Sequence, residues 1–144
     1  MKGTFSQKLQ VSIAPGIHVI SNAGFLEQIV NNLVTNAAKY SPETSTIQVE
    51  LSVANNGTRV IAVKDQGTGI ADEDKAHIFE RFYRSADVRG SIPGTGLGLA
   101  IAAQLAKLSN GHLEVRDNQP IGTVISLLLT APQEALSEST IKGD

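Results

Sequence analysis

Apolar residues in this 144-residue chain recur with two different periods, and the switching between them lays out the elements. Alternation at every second position over Phe5 to Ile13, and again over Ile17 to Ile20 after the Pro15-Gly16 turn, predicts two strands. From Phe25 the pattern changes, and Leu26, Ile29, Val30, Leu33, Val34 and Ala37 fall at helical spacing until Ser41-Pro42 breaks the run. Ser21 or Asn22 is placed to cap this helix, with Glu27 early enough to favour its positive end. Period two returns in Ile47 to Val53 and Val60 to Val63, joined by Asn55-Asn56-Gly57, a hairpin signal because Asn-Gly tolerates positive φ. After a loop holding Gly67 and Gly69, Asp72 caps a short helix of about ten residues that ends near Phe82. Ser85 to Thr95 has no period and contains glycines and Pro93, so a mobile loop is expected there. Leu97, Ala100, Ile101, Leu105 and Leu108 predict a further long helix from Gly96, closed by Asn110-Gly111. Leu113 to Val115 and Thr123 to Leu129 complete a last hairpin.

The order ββ-α-ββ-α-loop-α-ββ predicts an α/β two-layer sandwich. Its sheet is mixed and largely antiparallel, with about five strands or more, covered on one face by about three helices. Residues 1–132 are expected to form one domain, and the polar stretch 133–144 a frayed tail.

Composition narrows the function classes. With 41% hydrophobic and 18% charged residues the chain builds a core of its own and is not of disordered type. Twelve Lys and Arg against fourteen Asp and Glu give a net charge of −2, so no bulk attraction draws it to nucleic acid or an acidic membrane. The absence of cysteine excludes disulfide scaffolds, Cys-zinc sites and thiol nucleophiles. No apolar run reaches the roughly 18 residues of a membrane span, and Met1 to Ser6 lacks the apolar core of an export signal. A cytoplasmic, monomeric domain is the expectation.

Three segments stand out chemically. Asn32 and Asn36 lie four apart on one side of the first long helix, and Lys39 and Tyr40 continue that side. A solvated face would be polar too, but it would draw on better helix formers than asparagine. An Asn side-chain carbonyl is a hard ligand for Mg²⁺, and Lys39 offers a point charge for phosphate. Asp65-Gln66-Gly67-Thr68-Gly69-Ile70 puts a carboxylate at a strand end, beside glycines that let backbone approach a ligand closely; an ordinary turn has the same letters. Gly94-Thr95-Gly96-Leu97-Gly98-Leu99 enters the last long helix and would expose N–H groups suited to phosphate, or serve as a hinge. It is neither the dinucleotide fingerprint nor a P-loop. Arg84, at the start of the aperiodic loop, is equally a phosphate contact or a surface arginine. His18, His77 and His112 are read on a strand, a helix surface and a turn, without metal-ligand spacing or a hydrolase triad.

Taken in order, these three segments together with Phe79 to Arg84 resemble the four boxes of the ATP-binding domain of sensor histidine kinases. Asn32 to Ser41 resembles the N box, Asp65 to Ile70 the G1 box, Phe79 to Arg84 the F box, and Gly94 to Leu99 the G2 box, over roughly residues 5 to 130. The resemblance implies the Bergerat fold shared with gyrase, Hsp90 and MutL, with ATP or ADP held under a flexible lid. It implies Asn36 as the Mg²⁺ ligand, Asn32 on the phosphate side one turn earlier, Lys39 and Arg84 on the phosphates, and Tyr40 near the adenine or ribose. Tyr83 falls beside Arg84 in the F box. Asp65 would accept the adenine amino hydrogen, Gly67, Gly69 and Ile70 would shape the base pocket, and Thr123 would assist base recognition. The backbone of Gly94, Thr95, Gly96, Leu97, Gly98 and Leu99 would follow the polyphosphate.

One departure bears on reaction type. The ATP-hydrolysing relatives carry Glu where this chain has Asn32, and an amide takes no proton from water. Transfer to an outside acceptor is therefore favoured over a nucleotide-gated clamp of the gyrase, Hsp90 or MutL type. The phosphoacceptor His segment of the kinases is absent from the chain, so the implied partners are a His-containing dimerisation domain and a downstream response regulator. Membrane attachment of a longer parent is compatible with this reading.

Overall fold

The computed structural model describes residues 7–17, 22–80 and 98–130. Among them five strands and three helices run in the order β1 (Lys8–Ile13), α1 (Ala23–Tyr40), β2 (Thr46–Val53), β3 (Arg59–Lys64), α2 (Asp72–Lys75), α3 (Gly98–Leu108), β4 (Gly111–Asp117) and β5 (Thr123–Leu129). The strands form one sheet in the spatial order β1-β2-β3-β5-β4. β1 and β2 are parallel because α1 crosses between them, and every other pair is antiparallel. The sheet is thus mixed and largely antiparallel, as the patterning predicts. The Ile17 to Ile20 segment apart from Ile17, the Ser85 to Thr95 loop and the 133–144 tail lie outside the described residues, and Ile17 belongs to no strand.

Alternation decides the faces. Ile47, Ile61, Val63, Ile125, Leu127 and Leu129 meet the α1 residues Ile29, Leu33, Val34 and Ala37 and the α3 residues Ala102 and Ala106 in one core. The intervening polar positions carry the Lys64–Glu50 ion pair at 3.0 Å. Small residues on α3 let it lie close along α1, since Ala102 and Ala106 are fully buried.

Helix ends correct the sequence reading in two places. Asn22 caps α1 as expected, its Oδ1 accepting the Phe25 N–H at 3.0 Å. The helix then begins at Ala23, so Glu27 lies beyond the first turn and does not serve its positive end. Asp72 is not the cap of α2: Ala71 holds that place without a side-chain bond, and the helix runs only to Lys75. Its continuation is a pair of turns, His77 N–H to Asp74 O and Glu80 N–H to His77 O, both 2.9 Å. Asp72 instead pairs with Lys75, which also reaches Asp117 at 3.0 Å and so ties α2 to the end of β4.

Candidate functional site

β3 and β4 end, and β5 begins, at the same edge of the sheet, and the C-terminal half of α1 passes over it. A cavity of about 790 Å³ opens there, a size suited to a cofactor or small ligand. Asn36 and Tyr40 line it from α1, Asp65, Thr68, Gly69, Ile70 and Ala71 from the loop after β3, Ile78 from the turns after α2, and Leu99 from the first turn of α3. The β4–β5 connection, Asp117 to Gly122, and Thr123 close the remaining side.

Asp65 is the buried charge of this cavity, at 4% exposure. Its Oδ1 accepts the N–H of Gly67 at 2.9 Å and that of Thr123 at 3.2 Å. Burial raises its pKa above the ordinary carboxylate value, and these two backbone donors act in the opposite direction. Its main chain is held as well, the N–H donating to Thr123 O at 2.9 Å and the carbonyl accepting Asn118 Nδ2 at 2.8 Å. Among the described residues both donors to the carboxylate reach Oδ1, so Oδ2 has no protein donor. A buried carboxylate in that state is matched to a ligand N–H.

Two glycines make this packing possible. A Cβ on Gly67 would fall on the carbonyl oxygen of Tyr40, so only glycine lets the loop pass under the end of α1. Gly122 has φ +109° and lies against the Asp65 carbonyl, where a Cβ would collide with backbone.

Among the residues singled out by sequence, Asn36, Tyr40, Asp65, Gly69, Ile70, Leu99 and Thr123 surround the cavity, and Gly67 is buried beneath Asp65. Asn32, Lys39 and Gly98 do not line it. Asn32 donates through Nδ2 to Gly98 O at 3.1 Å, tying α1 to the start of α3, and Lys39 is exposed. Tyr83, Arg84, Gly94, Thr95, Gly96 and Leu97 lie outside the described residues. Sequence reasoning missed Thr68, Ala71, Ile78 and the stretch Asp117 to Ile121. The Pro120-Ile121-Gly122 turn was a signal for the last stretch, but only the placing of β5 beside β3 turns it into a cavity wall. His112 is on β4 rather than in a turn, His77 follows α2 rather than lying on it, and His18 lies outside the described residues. No group of three or more His, Cys, Asp or Glu side chains placed to hold a metal ion occurs among the described residues.

The family model for histidine kinase-, DNA gyrase B-, and HSP90-like ATPases matches residues 21–133. Sensor histidine kinase YvrG of Bacillus subtilis is 37% identical over 130 residues, covering 88% of this chain and 22% of its own length. The signal transduction histidine-protein kinase/phosphatase MprB of Mycobacterium tuberculosis is 40% identical over 118 residues, covering 79% and 23%. The chain thus spans less than a quarter of these relatives. Among solved structures, mycobacterial sensor histidine kinase MprB superposes with a TM-score of 0.74 at 36% identity, over 86% of this chain and 81% of that one. Full-length ShkA in complex with AMPPNP gives 0.72 at 27% identity, over 85% and 25%.

Proposed function

This chain belongs to the family of histidine kinase-, DNA gyrase B- and HSP90-like ATPases, and from that premise we propose that its cavity binds Mg-ATP and presents the γ-phosphoryl group to a histidine on a separate dimerisation domain of a two-component sensor kinase. The observation that carries the reading is Asp65, a buried carboxylate with an oxygen left for a ligand donor. The adenine amino group meets that need, and the apolar side chains of Ile70, Ile78 and Leu99 suit the faces of the base. Tyr40 borders the ribose side. ShkA, of the same fold, was solved with AMPPNP, an ATP analogue, which supports an adenine nucleotide as the occupant.

Asn36 fits the metal because it offers a side-chain carbonyl oxygen on the cavity wall, one helical turn from Tyr40. Magnesium, when bound, neutralises phosphate charge and orients the group transferred. By their places in the matching boxes alone, we assign Lys39 and Arg84 to the phosphate charge and residues 94–99 to the polyphosphate. Asn32 favours transfer over hydrolysis: an amide abstracts no proton, and its Nδ2 is already engaged with Gly98. The acceptor domain and a response regulator are partners proposed from the sensor kinases that the chain resembles over less than a quarter of their length. No described helix is long and apolar enough to cross a membrane.

Calorimetric titration with ATP and ADP, with and without Mg²⁺, tests the reading. Binding strengthened by Mg²⁺ is expected, and Asp65→Asn should weaken it by about 10- to 100-fold, the worth of roughly 1.5–3 kcal/mol for a hydrogen bond to a charged group. A folded chain with no affinity for adenine nucleotides overturns the proposal.

A further inference from the structure

Asn118 lies at the end of β4, fifty-three residues from Asp65 in sequence, yet its Nδ2 donates to the Asp65 main-chain oxygen at 2.8 Å. The same residue closes its own loop. Its N–H donates to Gly122 O at 2.9 Å, and its Oδ1 accepts the Gln119 N–H at 2.9 Å. Gly122 in turn lies against the Asp65 carbonyl, and Thr123, next along, donates to Asp65 Oδ1. Asp65 is therefore gripped on its peptide side by the β4–β5 turn and on its side-chain side by Thr123, the first residue of β5. We propose that Asn118 is a positioning residue for base selection, acting through Asp65 by fixing the peptide from which the carboxylate projects.

The physical argument is one of leverage. Asp65 is 4% exposed, so its carbonyl has little access to water, and Asn118 Nδ2 is the side-chain donor that satisfies it among the described residues. Without that donor the Asp65 carbonyl loses its side-chain partner and the restraint on the peptide is weakened, so the carboxylate is held less firmly. Oδ1 keeps its two backbone donors only in the present orientation, which is also the one that leaves Oδ2 for the ligand. A base carrying an amino group at the recognised position gains from a fixed acceptor there. A base carrying a keto oxygen is repelled by it, and discrimination depends on the acceptor not moving away.

The inference rests on the reading of the cavity as an adenine-nucleotide site, and the test separates the two. ADP and inosine diphosphate differ at C6, amino against keto, and at the adjacent N1, which carries a hydrogen only in the keto base. The ratio of their dissociation constants therefore reads the edge of the base that faces Asp65 rather than general pocket integrity. Asn118→Asp keeps the size and the Oδ1 acceptor for Gln119 but removes the donor to Asp65. Asn118→Ser removes the donor without adding charge and covers the case in which the first variant does not fold. Each folded variant should bind ADP about 10-fold more weakly, with the ADP preference over inosine diphosphate reduced about 10-fold. A purely structural role would lower the melting temperature and weaken both nucleotides alike, leaving the preference intact. A parent that prefers ADP together with a folded variant that keeps this preference within about 2-fold overturns the inference and leaves the nucleotide site standing. A parent that binds neither nucleotide overturns both.

Discussion

Asp65 is where stability and ligand recognition oppose each other. Burial raises its folded-state pKa above the ordinary 3.8, so between that value and the raised one the folded chain holds more protons than the unfolded chain. Stability from this group is therefore full below 3.8 and is lost as pH rises through the folded pKa. Asp65→Asn keeps an oxygen for the Gly67 and Thr123 N–H groups and removes the ionisation. Its stability relative to the parent should rise with pH across this window, read by denaturant melts at steps between about pH 4 and pH 7. A difference that stays constant with pH would mean that the carboxylate is better solvated than its burial states. Gly122 makes the opposite kind of demand. Its φ of +109° and its contact with the Asp65 carbonyl leave no room for a methyl group, so Gly122→Ala should cost about 2–4 kcal/mol in the same melts, by strain and by displacement of the Asp65 peptide. Asp65 and Thr123 were legible in the sequence as separate candidates. Asn118 was not, because a single Asn in a turn between two strands looks like any other turn residue until strand order places it across from Asp65.

Strong periods located the larger elements, and weaker signals misplaced a shorter one. α1 and α3 follow apolar stripes that tertiary packing reinforces, and both were readable to within a few residues. α2 was read as about ten residues ending near Phe82, but it stops at Lys75; Ile78 and Phe79 pack against the core from turns, so the apolar demand is met without a helix. β1 shows a different limit. Its pairing sets Leu9, Val11 and Ile13 opposite Ile47, Val49 and Leu51, which are buried or half-buried, yet the three remain 39%, 55% and 63% exposed. Alternation reports which way a side chain faces but not whether a helix reaches that far along the sheet. Leu127, central on β5 and fully buried, should therefore lose about 2–5 kcal/mol on change to Ala. Val11→Ala should cost less than about 1 kcal/mol, since most of its surface already meets water. Paired urea melts distinguish them, and equal losses would show that β1 is covered in solution.

At the scale of the whole molecule, the site exists because the strand order is not the chain order. β5 inserts between β3 and β4, which brings Thr123 and the β4–β5 turn to the end of β3 where Asp65 sits. The four boxes named the family and many cavity residues, but the non-sequential order that joins them is a property of the closed core. The same geometry limits what the chain does alone. His77 pairs with Glu80 and His112 with Glu114, at 2.8 and 2.9 Å, and neither lines the cavity. Phosphoryl transfer needs the nucleophile in line and within about 3–3.5 Å of the reacting phosphorus, and these imidazoles stand elsewhere on the surface. Incubated with γ-labelled ATP and Mg²⁺, the chain should therefore bind nucleotide and take up no label, whereas adding a dimerisation domain that carries the acceptor histidine should produce acid-labile label on that domain. Label recovered on His18, His77 or His112 of the chain by itself would mean that the acceptor lies within this fold, and the division of labour between two domains would have to be abandoned.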